Sequence, residues 1–128
     1  MSTPNTPLLV YICAPYSAYD NFSVERNVLI ANKRGNEVAH LGHIPIIPHN
    51  YYYCWDVEPE DFWKALDLKL LAHCNILYFP SSPAKPTHIS PGCRAELRYA
   101  FETNMPVVTC MNKQNIYGFY DPDAIKNF

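Results

Sequence analysis

Residues 8–13 read LLVYIC, an unbroken apolar run between the lead-in MSTPNTP and the loop sequence APYSAYDN. A half-exposed strand alternates apolar and polar residues, whereas a continuous run is typical of a parallel strand that is covered on both faces. Residues 22–41 follow with apolar positions spaced by three and four, the period of an amphipathic helix. Gly35 lies on that apolar line, which predicts close packing of the helix on a sheet. The stretch therefore predicts the start of an α/β fold.

The same alternation continues along the chain. Further strands are predicted at residues 44–47, 75–79 and 107–110, and further helices at residues 60–73 and from the sequence SPG at 90–92. Strands that alternate with helices form right-handed crossovers, so we expect a parallel sheet with helices on both faces. Residues 1–128 are predicted to be a single domain with residues 1–7 as a disordered lead-in. The tail NKQNIYGFYDPDAIKNF is not assigned to one element.

Composition excludes several classes of protein. The net charge is −2, and the aromatic residues are not interleaved with Lys or Arg, so a nucleic-acid polymer is not expected as a partner. No apolar run is long enough to span a membrane, and the N-terminus lacks a signal-peptide pattern. The five cysteines include no CxxC pair, which indicates buried thiols in the reducing cytoplasm. The histidines show no metal-ligand spacing with them, so no metal is expected.

Two acidic residues occupy helix positions where apolar residues are expected. Asp67 falls within the apolar arc of the helix at 60–73, beside Leu70 and Leu71. Burying an unpaired carboxylate costs several kcal/mol, so this group must be paired, protonated or facing a polar cavity. A capping or ion-pair role toward a neighbouring loop remains open for Asp67.

Glu96 is the second such acid. Ser90 is a good N-cap, Pro91 suits the first helical position, and Gly92 allows close approach of a ligand or backbone. Glu102 lies four residues after Arg98, where the two can pair, and is an ordinary surface acid. Glu96 instead shares a helix face with Gly92, and no basic residue lies four positions before or after it. A solvated Glu96 remains the alternative.

Both acids lie on helices that follow loops at the carboxyl ends of the predicted strands. Ligands of α/β sheets bind at these ends. Two carboxyl groups in different environments can divide the roles of nucleophile and acid, as glycosidic bond cleavage requires. The Ser90 hydroxyl and the amides of the helix start form an anion site suited to phosphate. The residues predict a pocket for a small phosphorylated or ribosyl ligand, but they leave the reaction open.

Several motifs resemble the nucleoside 2-deoxyribosyltransferase-like superfamily, in particular its small bacterial and phage branch of uncharacterised proteins. They are YICAPYS at 11–17, RNV at 26–28, GHIPIIPH at 42–49, DLKLLAHCN at 67–75 and SPGCRAELRYA at 90–100. The resemblance implies a flavodoxin-like or Rossmann-like three-layer α/β/α fold with four or five parallel strands. It also implies a homodimer or higher homo-oligomer whose sites are completed by a neighbouring subunit, and N-glycosidic bond cleavage in a nucleoside or nucleotide without metal or cofactor.

Carried over by motif, the resemblance assigns roles to individual residues. Glu96 matches the nucleophile, Asp67 the acid that assists protonation of the leaving base, and Tyr16 the aromatic residue that orients the nucleophile. Gly92 matches the glycine that lets the sugar approach. The remaining residues assigned to the substrate pocket are Pro15, Ser17, His49 and Ser90.

Ser90 bears on the substrate. Relatives that transfer deoxyribose tend to carry Asp six residues before the glutamate, whereas nucleoside 5′-monophosphate N-glycosidases tend to carry Ser. A carboxylate would repel a phosphate dianion, so Ser90 favours a monophosphate and hydrolysis over base exchange. The glycine-rich phosphate loop of the hydrolases is replaced by SAYDNF at 17–22, so both reactions stay open.

Other readings of the same residues remain. A non-catalytic module that binds a nucleotide or ribosyl ligand would use the same pocket, and a thiol enzyme would use Cys93 at the helix start. Lys85, His88 and Arg26 are further candidates for phosphate contacts. The aromatic residues Tyr51, Tyr52, Tyr53 and Trp55 are equally candidates for base stacking or for the core.

Overall fold

A computed structural model describes residues 6–14, 21–51, 60–79, 91–111 and 116–119 of the chain. Five strands and three helices alternate along most of this length, as the apolar pattern predicted. In chain order they are β1 (Leu9–Ile12), α1 (Asn21–His40), β2 (Ile44–Ile46), α2 (Glu60–Ala72), β3 (Ile76–Tyr78), α3 (Pro91–Glu102), β4 (Val107–Met111) and β5 (Ile116–Phe119). Of the predicted lead-in, residues 1–5 lie outside the described residues.

The strands form one sheet in the order β2-β1-β3-β4-β5. The first four strands are parallel, and β5 pairs antiparallel with β4. Only residues 112–115 join β4 to β5, too few for the crossover that a parallel neighbour needs. The predicted parallel α/β sheet is confirmed, and its fifth strand, found within the unassigned tail, is an antiparallel edge.

Helices cover both faces of the sheet, so the three-layer α/β/α arrangement is confirmed. Val10 and Ile12 of β1 pack with Ala31 and Val38 of α1 on one face. The alternate β1 side chains, with those of β3 and β4, pack against α2 and α3 on the other; that cluster includes Tyr11, Cys13, Leu71, Leu77, Cys93, Leu97 and Ala100. We call these the α1 face and the α2–α3 face.

Two local features of α1 follow from its glycines. Gly35 is buried against β2, where an added Cβ would meet the side chains of Ile47 and Pro45, which confirms its predicted close packing. Gly42 has a φ of 88° and donates its N–H to Ala39, while His43 donates to Val38. This pair of bonds ends α1 in a left-handed glycine cap, which returns the chain directly into β2.

Among the helices in the described part of the chain, none combines the length and the apolar character that crossing a membrane requires.

The strand order 2-1-3-4 places a topological switch point between β1 and β3, because the chain leaves β1 toward one edge of the sheet and β3 toward the other. Ligands of doubly wound sheets bind outside the strand ends at such a point.

Candidate active site

A buried tyrosine of β1 holds the glutamate of α3. The Tyr11 hydroxyl donates a hydrogen bond of 3.1 Å to Oε2 of Glu96. Tyr11 is fully buried in β1, whose neighbour β3 lies on the other side of the switch point. Glu96 lies in the second turn of α3, so its side chain reaches back across the α2–α3 face to β1. Glu96 is thus not a solvated surface acid.

Asp67 approaches the same place from α2. It is half-buried, and its carboxylate interacts electrostatically with both Glu96 and Tyr11. The helices α2 and α3 pack side by side on one face of the sheet, which brings together two acids that are 29 residues apart in sequence (96 − 67). The helical phase that set Asp67 apart in the sequence correctly indicated that it turns inward.

Both carboxyl groups bind protons more tightly than ordinary side chains. Burial raises the pKa of Asp67 to about 6. Burial also raises the pKa of Glu96 well above its ordinary value, the charges of Cys93 and Asp67 raise it further, and the hydrogen bond from Tyr11 opposes them. Among the described residues, none of the groups that shift the pKa of Glu96 carries a positive charge. Two interacting acids without a cation favour holding a proton between them.

Burial, the charge of Glu96 and that of Asp67 raise the pKa of Tyr11 far above its usual range, so its hydroxyl keeps its proton and can donate it to Glu96. The sequence interpretation missed Tyr11, because it treated LLVYIC only as an apolar run. The signal was present: a tyrosine at a fully buried strand position needs a partner for its hydroxyl, and the two inward acids were candidates.

His49 fixes the chain where it leaves β1. It is 5% exposed and follows β2, and its Nε2 lies 2.8 Å from the carbonyl oxygen of Ala14. Since a carbonyl only accepts, Nε2 carries the proton. His49 was predicted to contact substrate, which stays a prediction; its described contact is with the backbone of Ala14.

Gly92 lies in the first turn of α3, one turn before Glu96, and is exposed. A Cβ added there would meet nothing within 4 Å. No side chain of the described structure therefore requires glycine at this position. Pro91 begins α3 as predicted. Pro15, Tyr16, Ser17 and Ser90 lie outside the described residues.

The thiol alternative loses support. Cys93 is 2% exposed and belongs to the core cluster of the α2–α3 face, with the Cys13 sulfur 4.0 Å from its carbonyl oxygen. Burial raises the pKa of Cys13 well above its ordinary value, and its contact with Cys93 adds to the effect. Buried thiols of this kind are poor nucleophiles. In the described ranges, no three His, Cys, Asp or Glu residues are grouped so as to hold a metal.

A family model described as "Domain of unknown function (DUF7768)" matches residues 8–110. No curated protein matches the chain. The matched segment runs from β1 through most of β4 and contains Tyr11, Asp67 and Glu96. The family carries no activity in its description, so the resemblance to the nucleoside 2-deoxyribosyltransferase-like superfamily stays a prediction. The chain belongs to this family of unknown function.

Proposed function

We propose that this DUF7768 domain cleaves the N-glycosidic bond of a nucleoside 5′-monophosphate or nucleoside, by hydrolysis or base exchange. Glu96 is the nucleophile and Asp67 the acid that protonates the leaving base. The observation that carries the proposal is the electrostatic interaction of half-buried Asp67 with Glu96, which the Tyr11 hydroxyl holds on β1 beside the switch point of the sheet.

The reaction would use the two acids in turn. The ionised Glu96 attacks the anomeric carbon as the bond to the base breaks, and the protonated Asp67 gives its proton to the departing ring nitrogen. The glycosyl-enzyme ester is then opened by water or by the ring nitrogen of a second base, and in either case the proton that the attacking group loses returns to Asp67. Glu96 is released as the carboxylate in either case, so one proton on the pair suffices for a full cycle.

Tyr11 would orient the nucleophile Glu96 and favour its ionised form. Its hydroxyl occupies one lone pair of Oε2 and fixes the rotamer of Glu96, which leaves the other oxygen to face the pocket. The same bond favours the ionised form of Glu96 against the cost of burial. Tyr11 is therefore a positioning residue.

The raised pKa values imply a pH dependence. The productive form has Glu96 ionised and Asp67 protonated, so activity is lost when both are protonated at low pH and when both are ionised at high pH. A bell-shaped profile of kcat/KM follows, and its two apparent pKa values belong to the pair. Because the pKa of Asp67 is about 6, we expect the descending limb near or above that pH.

One observation favours non-catalytic binding as a second function. A Glu96 that keeps its proton because it is buried beside Asp67 is a hydrogen-bond donor rather than a nucleophile. A module of that kind would bind a nucleotide or ribosyl ligand in the same pocket without cleaving it.

The experiment is to incubate the protein with the common nucleosides, deoxynucleosides and their 5′-monophosphates and to measure free base by chromatography. Glu96→Ala and Asp67→Asn are measured beside the wild type, and Glu102→Ala is the matched control from the exposed side of α3. We expect base release that is abolished by Glu96→Ala, reduced about 10²- to 10⁴-fold by Asp67→Asn and unchanged by Glu102→Ala.

Base release that persists in Glu96→Ala would rule out the covalent mechanism. Binding of a nucleotide without turnover, measured by calorimetry with the same panel, would favour the binding module instead.

The cytoplasmic location and the homo-oligomer also remain predictions. Three buried cysteines without a disulfide, Cys13, Cys74 and Cys93, support the first of them.

A further inference from the structure

The end of β1 reaches beyond its neighbour β2. In the register of the two strands, Tyr11 lies opposite Ile46, which is the last residue of β2. On its other side β1 stays paired, because Cys13 donates its N–H to the carbonyl oxygen of Tyr78 at 2.9 Å. Backbone groups alternate between the two sides of a strand, so those of Ala14 face the side on which β2 has ended. Ala14 is buried, and a buried carbonyl there needs a donor from outside the sheet.

His49 is a described donor to that carbonyl. Its ring is almost fully buried, and its Nε2 lies 2.8 Å from the carbonyl oxygen of Ala14. His49 comes three residues after the end of β2, on the same side of β1 as that strand. Its side chain therefore continues the pairing of β1 past the point where the backbone of β2 has stopped.

The segment that carries His49 is in turn fixed to α1. Asn50 and Asn32 exchange two amide hydrogen bonds, of 2.7 and 3.2 Å. Asn32 also donates to the carbonyl oxygen of Val28, one turn before it, at 2.9 Å, which holds its amide in one orientation. The buried face of α1 packs on the sheet, so the amide pair joins His49 to a fixed element. We call His49 with the Asn32–Asn50 pair the latch.

The end of β1 is also the part of the strand that contacts α3. The Tyr11 hydroxyl donates to Glu96 at 3.1 Å. The sulfur of Cys13 lies 4.0 Å from the carbonyl oxygen of Cys93, which precedes Glu96 by one turn. A shift of the strand end would therefore move the Tyr11 hydroxyl relative to Glu96. Misplacement by about 1 Å can cost as much as roughly 10²-fold in rate.

We propose that the latch positions the end of β1 and, through it, the Tyr11 hydroxyl against Glu96. The inference rests on the proposed function and adds positioning residues to it that need not touch the substrate. A latch that only stabilised the fold would leave the titration of Glu96 and the rate of base release unchanged when it is broken.

The first test reads Glu96 directly and needs no turnover. Carboxyl ¹³C NMR follows the titration of Glu96, and Tyr11→Phe should raise its pKa because it removes the bond that favours the ionised form. Asn32→Ala should raise the pKa of Glu96 by less, since the hydroxyl is displaced but still present. Asn36→Ala is the matched control: it removes an exposed asparagine one turn further along α1 and should change nothing.

Two results of this titration would overturn the inference. One is a Glu96 titration that is the same in Asn32→Ala as in the wild type. The other is an equal change in Asn32→Ala and Asn36→Ala, which would assign the effect to α1 as a whole and not to the latch.

The kinetic test asks whether the latch acts through Tyr11. Asn32→Ala should lower kcat about three- to tenfold with a smaller change of KM, as a misplaced nucleophile would. In a Tyr11→Phe background the same substitution should change kcat less than about twofold, because no hydroxyl is left to position. Losses that multiply in the double variant would show that the latch does not act through Tyr11 and would contradict the inference.

A second pair of variants tests the bond to Ala14 itself. His49→Gln places an amide donor near the position of Nε2, whereas His49→Leu removes the donor. His49→Gln should therefore retain more of kcat, and a pKa of Glu96 closer to that of the wild type, than His49→Leu. Equal behaviour of two folded variants would contradict a role for this hydrogen bond.

The outcomes distinguish the latch from the proposed function. A changed Glu96 titration in Asn32→Ala, in a protein that releases no base, would support the latch and refute the catalytic proposal. Base release that depends on Glu96, with the titration and kcat both unchanged in Asn32→Ala, would contradict the latch and leave the glycosidase intact. If urea titration then found a lower free energy of unfolding in Asn32→Ala, the role of the latch would be confined to stability.

Discussion

A buried tyrosine hydroxyl meets a glutamate on each face of the sheet, and the two pairs differ in their third member. On the α1 face, Tyr78 of β3 donates to Glu37 at 2.8 Å, and Arg34 lies 2.6 Å from the other oxygen of Glu37. On the α2–α3 face, Tyr11 of β1 donates to Glu96 at 3.1 Å, and the third member is Asp67, another acid.

The difference separates an acid that stabilises the fold from one that we propose takes part in the reaction. Glu37 has a cation and a donor, and its hydrogen bond raises the pKa of Arg34, so the trio stabilises its own charges. Glu96 has a donor, but the described groups that shift its pKa, Cys93 and Asp67 besides Tyr11, include no cation. A pair of carboxyls that is costly to keep buried is retained where function needs it, and pKa values perturbed in this way cluster at active sites.

The glycines repeat the contrast. Gly35 on the α1 face is closed in by Ile47 and Pro45, whereas a Cβ added at Gly92 of α3 would meet no described atom within 4 Å. Among the described residues, only the first of these two positions requires glycine for packing.

The largest expected effect comes from replacing the two glutamates in parallel. Glu96→Gln should reduce base release at least about 10³-fold, because the amide cannot attack the anomeric carbon. Glu37→Gln should leave the rate within about threefold and lower the free energy of unfolding by roughly 1–2 kcal/mol, since it weakens the bonds to Arg34 and Tyr78. Chromatographic assays measure the rate of base release of both variants, and urea titrations measure their free energy of unfolding. A similar rate of base release in the two variants would contradict the proposed difference between Glu96 and Glu37.

The tyrosines give the next largest effect. Tyr11→Phe removes the bond that lowers the pKa of Glu96, so that pKa rises further and the acidic limb of the pH–rate profile moves to higher pH. The rate at neutral pH should fall about tenfold. Tyr78→Phe should lower the free energy of unfolding by roughly 1 kcal/mol and leave the pH–rate profile unmoved. An unmoved profile in Tyr11→Phe would show that its hydroxyl does not act on the nucleophile.

Stability should respond to pH through the acids of the α2–α3 face, because burial raises the pKa of both. A carboxyl whose folded pKa is raised binds its proton more tightly in the native state, so its contribution is complete below pH 4 and is lost as pH rises through about 6 for Asp67. Asp67→Asn should therefore gain stability relative to the wild type between pH 4 and 7, on the order of 1 kcal/mol after allowing for its partial exposure. Urea titrations across this range measure the difference, and parallel curves would contradict the burial of Asp67.

The smallest effects belong to the glycines. Gly35→Ala should lower the free energy of unfolding by about 1 kcal/mol, since overpacking against Ile47 outweighs the gain in helix propensity. Gly92→Ala should leave it unchanged or raise it by a few tenths of a kcal/mol. If the sugar approaches α3 at Gly92, Gly92→Ala should raise KM although the free energy of unfolding does not fall. Measuring both quantities therefore separates an effect on ligand binding from an effect on folding.

Much of this arrangement could be predicted from the chain. Apolar runs and helical phase identified the parallel α/β sheet, the packing of Gly35 and the inward direction of Asp67 and Glu96, because burial dictates those patterns directly. The orientation of β5 could not be predicted, since its short polar connection carries no helical period. Tyr11 was missed because a strand buried on both faces shows which residues are inside, and not which of them has a polar partner.

The roles of single residues depended on the resemblance and stay predictions. Tyr16, which was expected to orient the nucleophile, lies outside the described residues, and the described hydrogen bond to Glu96 comes from Tyr11. Contacts that join residues 11, 67 and 96 arise from the way α2 and α3 lie side by side, and a local sequence pattern does not contain that information.

The most direct measurement traps the intermediate on Glu96. Incubation with 2′-deoxy-2′-fluoro nucleosides and their 5′-monophosphates slows hydrolysis of the glycosyl ester, because the fluorine destabilises the oxocarbenium-like transition state. Peptide mass spectrometry should then find the fluorinated sugar on Glu96 in the wild type, no adduct in Glu96→Gln, and an unchanged adduct in Glu37→Gln. Base release without an adduct on Glu96, or an adduct on another residue, would contradict the account.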